Sequence, residues 1–172
     1  SGPLRTGTVI HLHWHGNAAQ VWVDTSGQKL SDRGYRRMPH HAPLRETLAA
    51  AILHRIGWKG DTPLVIPMCG SGTLALEGAL MAAGRPPGLL RSGFAFQHLY
   101  GFNPQLWADL RSEVTPKKPR RGKTSTPQII ATDIDPDAIE ATRRNAETAG
   151  VGHLIETAVC DFADTEMPDA VG

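Results

Sequence analysis

The residues best suited to chemistry are one glycine-rich turn and two acids at the ends of extended runs. Cys69-Gly70-Ser71-Gly72-Thr73 lies between an apolar run, Leu64-Val65-Ile66, and a nearly all-apolar stretch of helical composition from Thr73 to Ala83. Glycine lets backbone approach a ligand closely and adopt conformations that a side chain forbids. A helix start behind such a turn offers N–H groups that have no partner within the helix. The turn lacks the Lys that a phosphate-binding loop places before Ser or Thr, and it lacks the full dinucleotide glycine spacing. A purely structural turn therefore stays open as a reading. Asp133 ends the next extended run, 128–132. A carboxylate there can face both hydroxyls of a ribose, since two oxygens meet two donors. Asp161, at the end of a third run, could accept from an adenine amino group while Phe162 packs near the ring; a solvated loop acid is the alternative.

Three other groups invite a different chemistry. His11, His13 and His15 share one face of a predicted strand, with His40 and His41 further along. Alternate histidines on a strand can share a zinc ion, although no carboxylate joins them at a defining spacing and an edge strand facing solvent is the simpler reading. Cys69 sits beside a helix start, which can lower a thiol pKa, but no histidine is fixed nearby and small-side-chain packing accounts for it. Five cations between Lys117 and Lys123 form a basic loop. It could meet RNA phosphates or serve as a solubilising surface, and no aromatic residue interleaves with its charges for base stacking.

The elements that must position these residues are legible in outline. The segments 8–15 and 19–24 alternate partly at period two around Gly16-Asn17 and predict a hairpin closed by Thr25-Ser26-Gly27. A linker with little periodicity runs from Lys29 to His41. A helix is predicted to start near Pro43, with Leu44, Leu48, Ala51, Ile52 and Ile56 facing a core and Gly57 ending it. Pro104 to Val114 could make one helix within the irregular stretch 89–128. Asp135 is placed as an N-cap with Pro136 at the first helical position, and the helix behind it presents Ile139, Thr142, Ala146 and Ala149 before Gly150. A third strand covers about 154–159. Strand, glycine turn, helix, strand, acid, helix and strand predict a doubly wound, Rossmann-like α/β fold with parallel strands. Such folds bind ligands outside the carboxyl ends of their strands.

Composition narrows the classes. The chain has 172 residues, of which 40% are hydrophobic and 20% charged, with a formal net charge of +1. That suits about one domain with a real core and excludes a polycationic tail protein. Two cysteines, Cys69 and Cys160, cannot build a disulfide scaffold, so a reducing, cytoplasmic setting is expected. No run approaches the roughly 20 apolar residues that span a bilayer, and no membrane partner is expected. Ser1-Gly2-Pro3 reads as the scar of a cleaved tag, with residues 1–7 as leader.

The runs 67–73 (Pro-Met-Cys-Gly-Ser-Gly-Thr), 33–36 (Arg-Gly-Tyr-Arg) and 42–49 are similar to those of class I S-adenosylmethionine-dependent RNA guanine-N2 methyltransferases that carry an N-terminal THUMP domain. The bacterial large-subunit rRNA enzymes are the best-known members. Phe94-Ala95-Phe96, Asp133-Ile134-Asp135-Pro136 and Asn145-Ala146 resemble that family too. The resemblance implies a cofactor pocket formed by Pro43, Glu46, Met68, Cys69, Gly70, Ser71, Gly72, Thr73, Asp133, Ile134, Asp161 and Phe162. Gly70 and Gly72 would bracket the methionine part of S-adenosyl-L-methionine, Asp133 would hold its ribose, and Asp161 with the Phe162 backbone would read its adenine. The Pro43–Glu46 segment would close over the same pocket.

The resemblance also implies division. Residues 8–41 would form the hairpin and linker, and 42–172 the N-terminal half of a methyltransferase domain. The upstream THUMP domain and the later strands, with their Asn/Asp-Pro-Pro-aromatic catalytic segment, would lie elsewhere in a longer parent. In that parent the guanine amino nitrogen of structured RNA, rRNA in particular, would attack the sulfonium methyl in line, with no metal and with catalysis chiefly by positioning. Adenine N6 is an alternative acceptor, and the fragment alone would be inactive. The family usually has Asp where this chain has Ile66; loss of that acid leaves a degenerate, non-catalytic RNA-binding scaffold as another alternative, unless Glu46 or Glu77 compensates. A sheet edge left open would favour dimerisation.

Overall fold

A computed structural model describes residues 7–38, 42–115 and 127–168. Its centre is a parallel sheet of β3 (Leu64–Pro67), β4 (Ile129–Asp133) and β5 (Ile155–Val159), in that spatial order. The register sets Leu64 beside Ile129 and Ile155, and Ile66 beside Ala131 and Thr157. β4 is the central strand, and Ile129, Ile130, Ala131 and Thr132 are all buried. A near-continuous apolar run is what a strand covered on both faces requires.

The crossovers are α2 (Thr73–Ala82), between β3 and β4, and α4 (Pro136–Ala149), between β4 and β5. They touch each other, and Leu76, Ala79, Ala146 and Ala149 share one core with Ile66, Ile129 and Ala131. Both helices thus cover one sheet face, as successive crossovers of one hand must when the chain advances in one direction. Beneath the other face the chain returns after β5, where the Thr132 and Thr165 hydroxyls meet at 2.7 Å. Parallel strands with helical crossovers are the Rossmann-like arrangement expected. Asp135 caps α4 by accepting the Asp137 N–H at 2.9 Å, and Ile139, Thr142, Ala146 and Ala149 face inward as predicted.

The helix α1 (Glu46–Arg55) departs from expectation in start and in face. It begins at Glu46 rather than near Pro43, because the Leu44 carbonyl is held at 2.9 Å by Arg36 and Arg45 takes the N-cap position with extended backbone. It packs on α2 and buries Glu46, Ala49 and Leu53, whereas Leu48, Ala51, Ile52 and Ile56 are exposed and Leu44 is half-buried. The apolar residues form two adjacent stripes, and the one made of Ala49 and Leu53 is buried.

A hairpin of β1 (Ile10–His15) and β2 (Ala18–Val23) forms around Gly16-Asn17 as the alternation implied. It is docked on the segment between α2 and β4 rather than on the sheet. The Thr8 hydroxyl donates to the Ala95 carbonyl at 2.8 Å, and the Phe96 N–H donates to the Thr25 carbonyl at 3.0 Å. Buried Arg91 donates to the carbonyls of Ser26, Gln28, Lys29 and Asp32. Behind this anchor, Phe94, Phe96 and Phe102 gather around Trp107 of α3 (Pro104–Val114), with Phe96 edge-on to Trp107 at 5.0 Å. The basic loop predicted at 117–123, and His40 and His41, lie outside the described residues.

Candidate cofactor site

The carboxyl ends of β3, β4 and β5 open on the same edge of the sheet, because the strands are parallel. After β3 the backbone turns left-handed at Met68 (φ 61°), Gly70 (φ 57°) and Gly72 (φ 78°). The two glycines serve different ends. A Cβ on Gly72 would strike the Thr142 side chain at 2.6 Å, so this position must let the loop lie against α4. A Cβ on Gly70 would meet nothing within 4 Å, so the backbone there borders open space that a ligand can enter. Gly72 is also the N-cap of α2 and supplies no side-chain cap, and the first-turn N–H groups of a helix have no partner within it.

Asp133, half-buried at the end of β4, does more than the sequence implied. Its Oδ2 accepts the Gly70 N–H at 2.8 Å and its Oδ1 accepts the Asp135 N–H at 3.0 Å. Each carboxylate oxygen retains a second lone-pair direction, so the same group can grip the loop and still accept from a ligand. Next to it Ile134 is 68% exposed; Met68, after β3, is 69% exposed, and Phe162, after β5, is 62% exposed. Each of the three strand ends therefore presents a large apolar side chain to solvent. Asp161 is exposed and caps its turn by accepting the Ala163 N–H at 3.0 Å.

Two α4 side chains hold the carbonyl side of the glycine loop, and sequence reasoning gave neither that task. The Thr142 hydroxyl donates to the Gly70 carbonyl at 2.9 Å. Asn145 uses its whole amide: it donates to the carbonyls of Ser71 and Met38 at 3.2 and 3.0 Å and accepts from the N–H groups of Arg37 and Met38 at 2.8 and 3.1 Å. Both residues are fully buried. Polar side chains on the small, apolar face of an amphipathic helix were the available signal.

The strap 33–38 wraps the start of α2. Arg36 donates to Glu46 Oε1 at 2.9 Å, to the Leu44 carbonyl and to the Thr73 hydroxyl at 3.0 Å. Glu46 and Thr73 are thereby joined through Arg36, and Ser71 is buried. Pro43 is exposed just ahead of α1. Glu77 is 2% exposed. It accepts from the Tyr35 hydroxyl at 2.9 Å and pairs with Arg33 at 3.5 Å, committed to the strap and not to the loop. Ile66 is 7% exposed and sits in the shared core.

Cys69 is half-buried, with its sulfur 3.6 Å from the Thr142 hydroxyl. Burial pushes its thiol up to about 11, against the hydrogen bond shared with Thr142 and with added repulsion from Asp133. It is a protonated packing group and no nucleophile at neutral pH. Among the described residues no three His, Cys, Asp or Glu side chains gather as a metal would need. His11, His13 and His15 are all exposed on the hairpin.

A family model described as the RMKL-like methyltransferase domain matches residues 33–172. The ribosomal RNA large subunit methyltransferase K/L of Vibrio campbellii is 43% identical over 159 residues, 92% of this chain but 22% of the relative. The chain thus spans about a fifth of that protein's length. The crystal structure of SMU.472 complexed with SAH is 30% identical with a TM-score of 0.79, over 92% of this chain and 40% of that one. The structure of a possible methylase from Clostridium difficile 630 is 36% identical with a TM-score of 0.81, over 95% of this chain and 42% of the other. The family model spans most of the chain, residues 33–172, and on that match the chain belongs to the RMKL-like methyltransferase domain family.

Proposed function

We propose that this chain is the cofactor-binding half of an S-adenosylmethionine-dependent methyltransferase that modifies structured RNA, rRNA first among candidates, at guanine N2. The observation that carries this reading is the joining of an open glycine loop to a strand-end acid: Asp133 grips Gly70 at 2.8 Å while keeping acceptor directions free. The residues present fit the cofactor. The open side of Gly70 and the uncapped first turn of α2 suit an amino acid end rich in acceptors. Asp133 suits a ribose diol, and the exposed Ile134 and Phe162 suit the two sides of a flat, apolar ring. The free oxygen of Asp161 accepts from an adenine amino group. Met68, Cys69, Ser71 and Thr73 shape the loop wall, with Glu46 and the Pro43 segment behind Arg36. SMU.472, similar over 92% of this chain, is complexed with SAH.

When bound, the cofactor supplies a methyl group made electrophilic by its sulfonium sulfur. This chain's residues bind and orient it; the amino group that receives the methyl is positioned by other parts of a longer protein. The edge of β3, which pairs with no other strand among the described residues, and the exposed Leu48–Ile52–Ile56 stripe of α1 are where further strands would pack. The name of the Vibrio relative supports rRNA as substrate, and an rRNA substrate would place the protein in the cytoplasm. Among the described residues no helix is long and apolar enough to cross a membrane.

The test is methyl incorporation into rRNA by the longer protein containing this chain, read by nucleoside mass spectrometry. N2-methylguanosine is expected; N6-methyladenosine would move the acceptor to adenine, and no methylation despite cofactor binding would favour a non-catalytic RNA-binding role.

A further inference from the structure

The β1–β2 hairpin has two unlike faces. Its register pairs Ile10 with Val23, Leu12 with Val21 and Trp14 with Ala19, so one face is wholly apolar. Ile10, Leu12, Trp14, Val21 and Val23 on that side are between 45% and 74% exposed. The opposite face carries His11, His13, His15, Ala18, Gln20 and Trp22. A two-stranded ribbon is at best marginally stable in water unless something covers its apolar face. Edge strands are normally guarded by charges or proline, and residues 10–23 contain neither. The ribbon is nevertheless held firmly at its base by the Thr8–Ala95 and Thr25–Phe96 hydrogen bonds, so association would order little that is not already ordered.

We propose that this face is a dimer interface, at which two copies of the chain pack hairpin on hairpin across a twofold axis. The chemistry of the face selects the occupant. It offers no cation to a phosphate backbone, so nucleic acid has no purchase on it. Its five exposed apolar side chains amount to roughly 600 Å² per copy, close to the roughly 800 Å² per partner of a standard stable interface. The face is also self-complementary. Trp14 stands opposite small Ala19 at one end, and Ile10 stands opposite Val23 at the other. An axis near the Leu12–Val21 pair would lay each copy's indole over the other's aliphatic end, as an isologous interface requires.

Sedimentation velocity of the chain over a concentration series tests this. A reversible dimer is expected. Leu12→Lys and Val21→Lys, on the apolar face, should each weaken it at least tenfold, because each charge enters the interface twice. Gln20→Lys, on the opposite face, should leave it unchanged. Hydrogen exchange of the unaltered chain above and below the dissociation concentration needs no variant, and protection gained on dimerisation should fall within residues 9–24. Monomer at every concentration overturns the proposal. So does a dimer that keeps its affinity in both apolar-face variants, or protection gained along β3 instead of the hairpin, since either assigns association to the open sheet edge.

Discussion

The Asp133 carboxylate accepts the backbone N–H of Gly70 at 2.8 Å, across 63 positions of sequence. That bond ties the end of β4 to the loop that follows β3, with the Thr142 hydroxyl fastening the carbonyl of the same glycine at 2.9 Å. The loop is thus organised from both sides by residues outside it. An acid at position 66 is not needed for this, and Ile66 is free to act as core.

Asp133→Asn should weaken S-adenosylhomocysteine binding by about 10- to 150-fold, the equivalent of a charge-assisted hydrogen bond worth roughly 1.5–3 kcal/mol. Calorimetric titration of both proteins checks it, with circular dichroism to confirm that the variant is folded. Unchanged affinity would remove Asp133 from the site.

Thr142→Val keeps the shape of the side chain and deletes its donor to Gly70. A loss of about 1 kcal/mol in unfolding free energy is expected, measurable by urea denaturation. Combined with Asp133→Asn the effects on affinity should be non-additive, because both substitutions loosen one glycine. Strict additivity would mean that the loop does not act as a unit.

Ile66→Asp should not restore a missing anchor. The side chain lies in the core shared with Leu76 and Ile129, and an unpaired carboxylate there is costly. A destabilisation of about 2–4 kcal/mol, with no gain in affinity for S-adenosylhomocysteine, is the expected result. Tighter binding by a stable Ile66→Asp protein would show that the acid reaches the pocket.

Burial raises the Glu77 carboxyl above its ordinary 4.5, although Arg33 and Tyr35 pull it back. The folded chain then holds this proton more tightly than the unfolded one. Its contribution to stability is full below the unfolded carboxylate range and is lost as pH rises through the raised folded value. Glu77→Gln removes that loss, so the stability of the unaltered chain relative to the variant should fall as pH rises above the ordinary carboxylate value of 4.5. Urea unfolding at a series of pH values reads the difference, and a relative gain with rising pH would contradict it.

Legibility in the sequence followed the range of the interaction. β4 and α4 could be read because their signals are local: an apolar run, then Asp135 and Pro136 at the cap, then one apolar face. The face of α1 could not, since Leu48, Ile52 and Ile56 lie on one stripe and Ala49 and Leu53 on the next, and only α2 decides between them. The glycine loop was recognisable by composition. Its fastenings to Asp133, Thr142 and Asn145 were not, because each joins residues more than 60 positions apart. Likewise nothing local marks Arg91 as the anchor of the linker, since its four carbonyl partners lie about 60 positions upstream.

Isothermal calorimetry of S-adenosylhomocysteine against the unaltered chain reads whether these residues form a cofactor-binding unit. Saturable one-to-one binding, weakened in Asp133→Asn and insensitive to Leu12→Lys on the distant hairpin, is the predicted result. A chain that is folded by circular dichroism yet takes up no ligand would contradict the account.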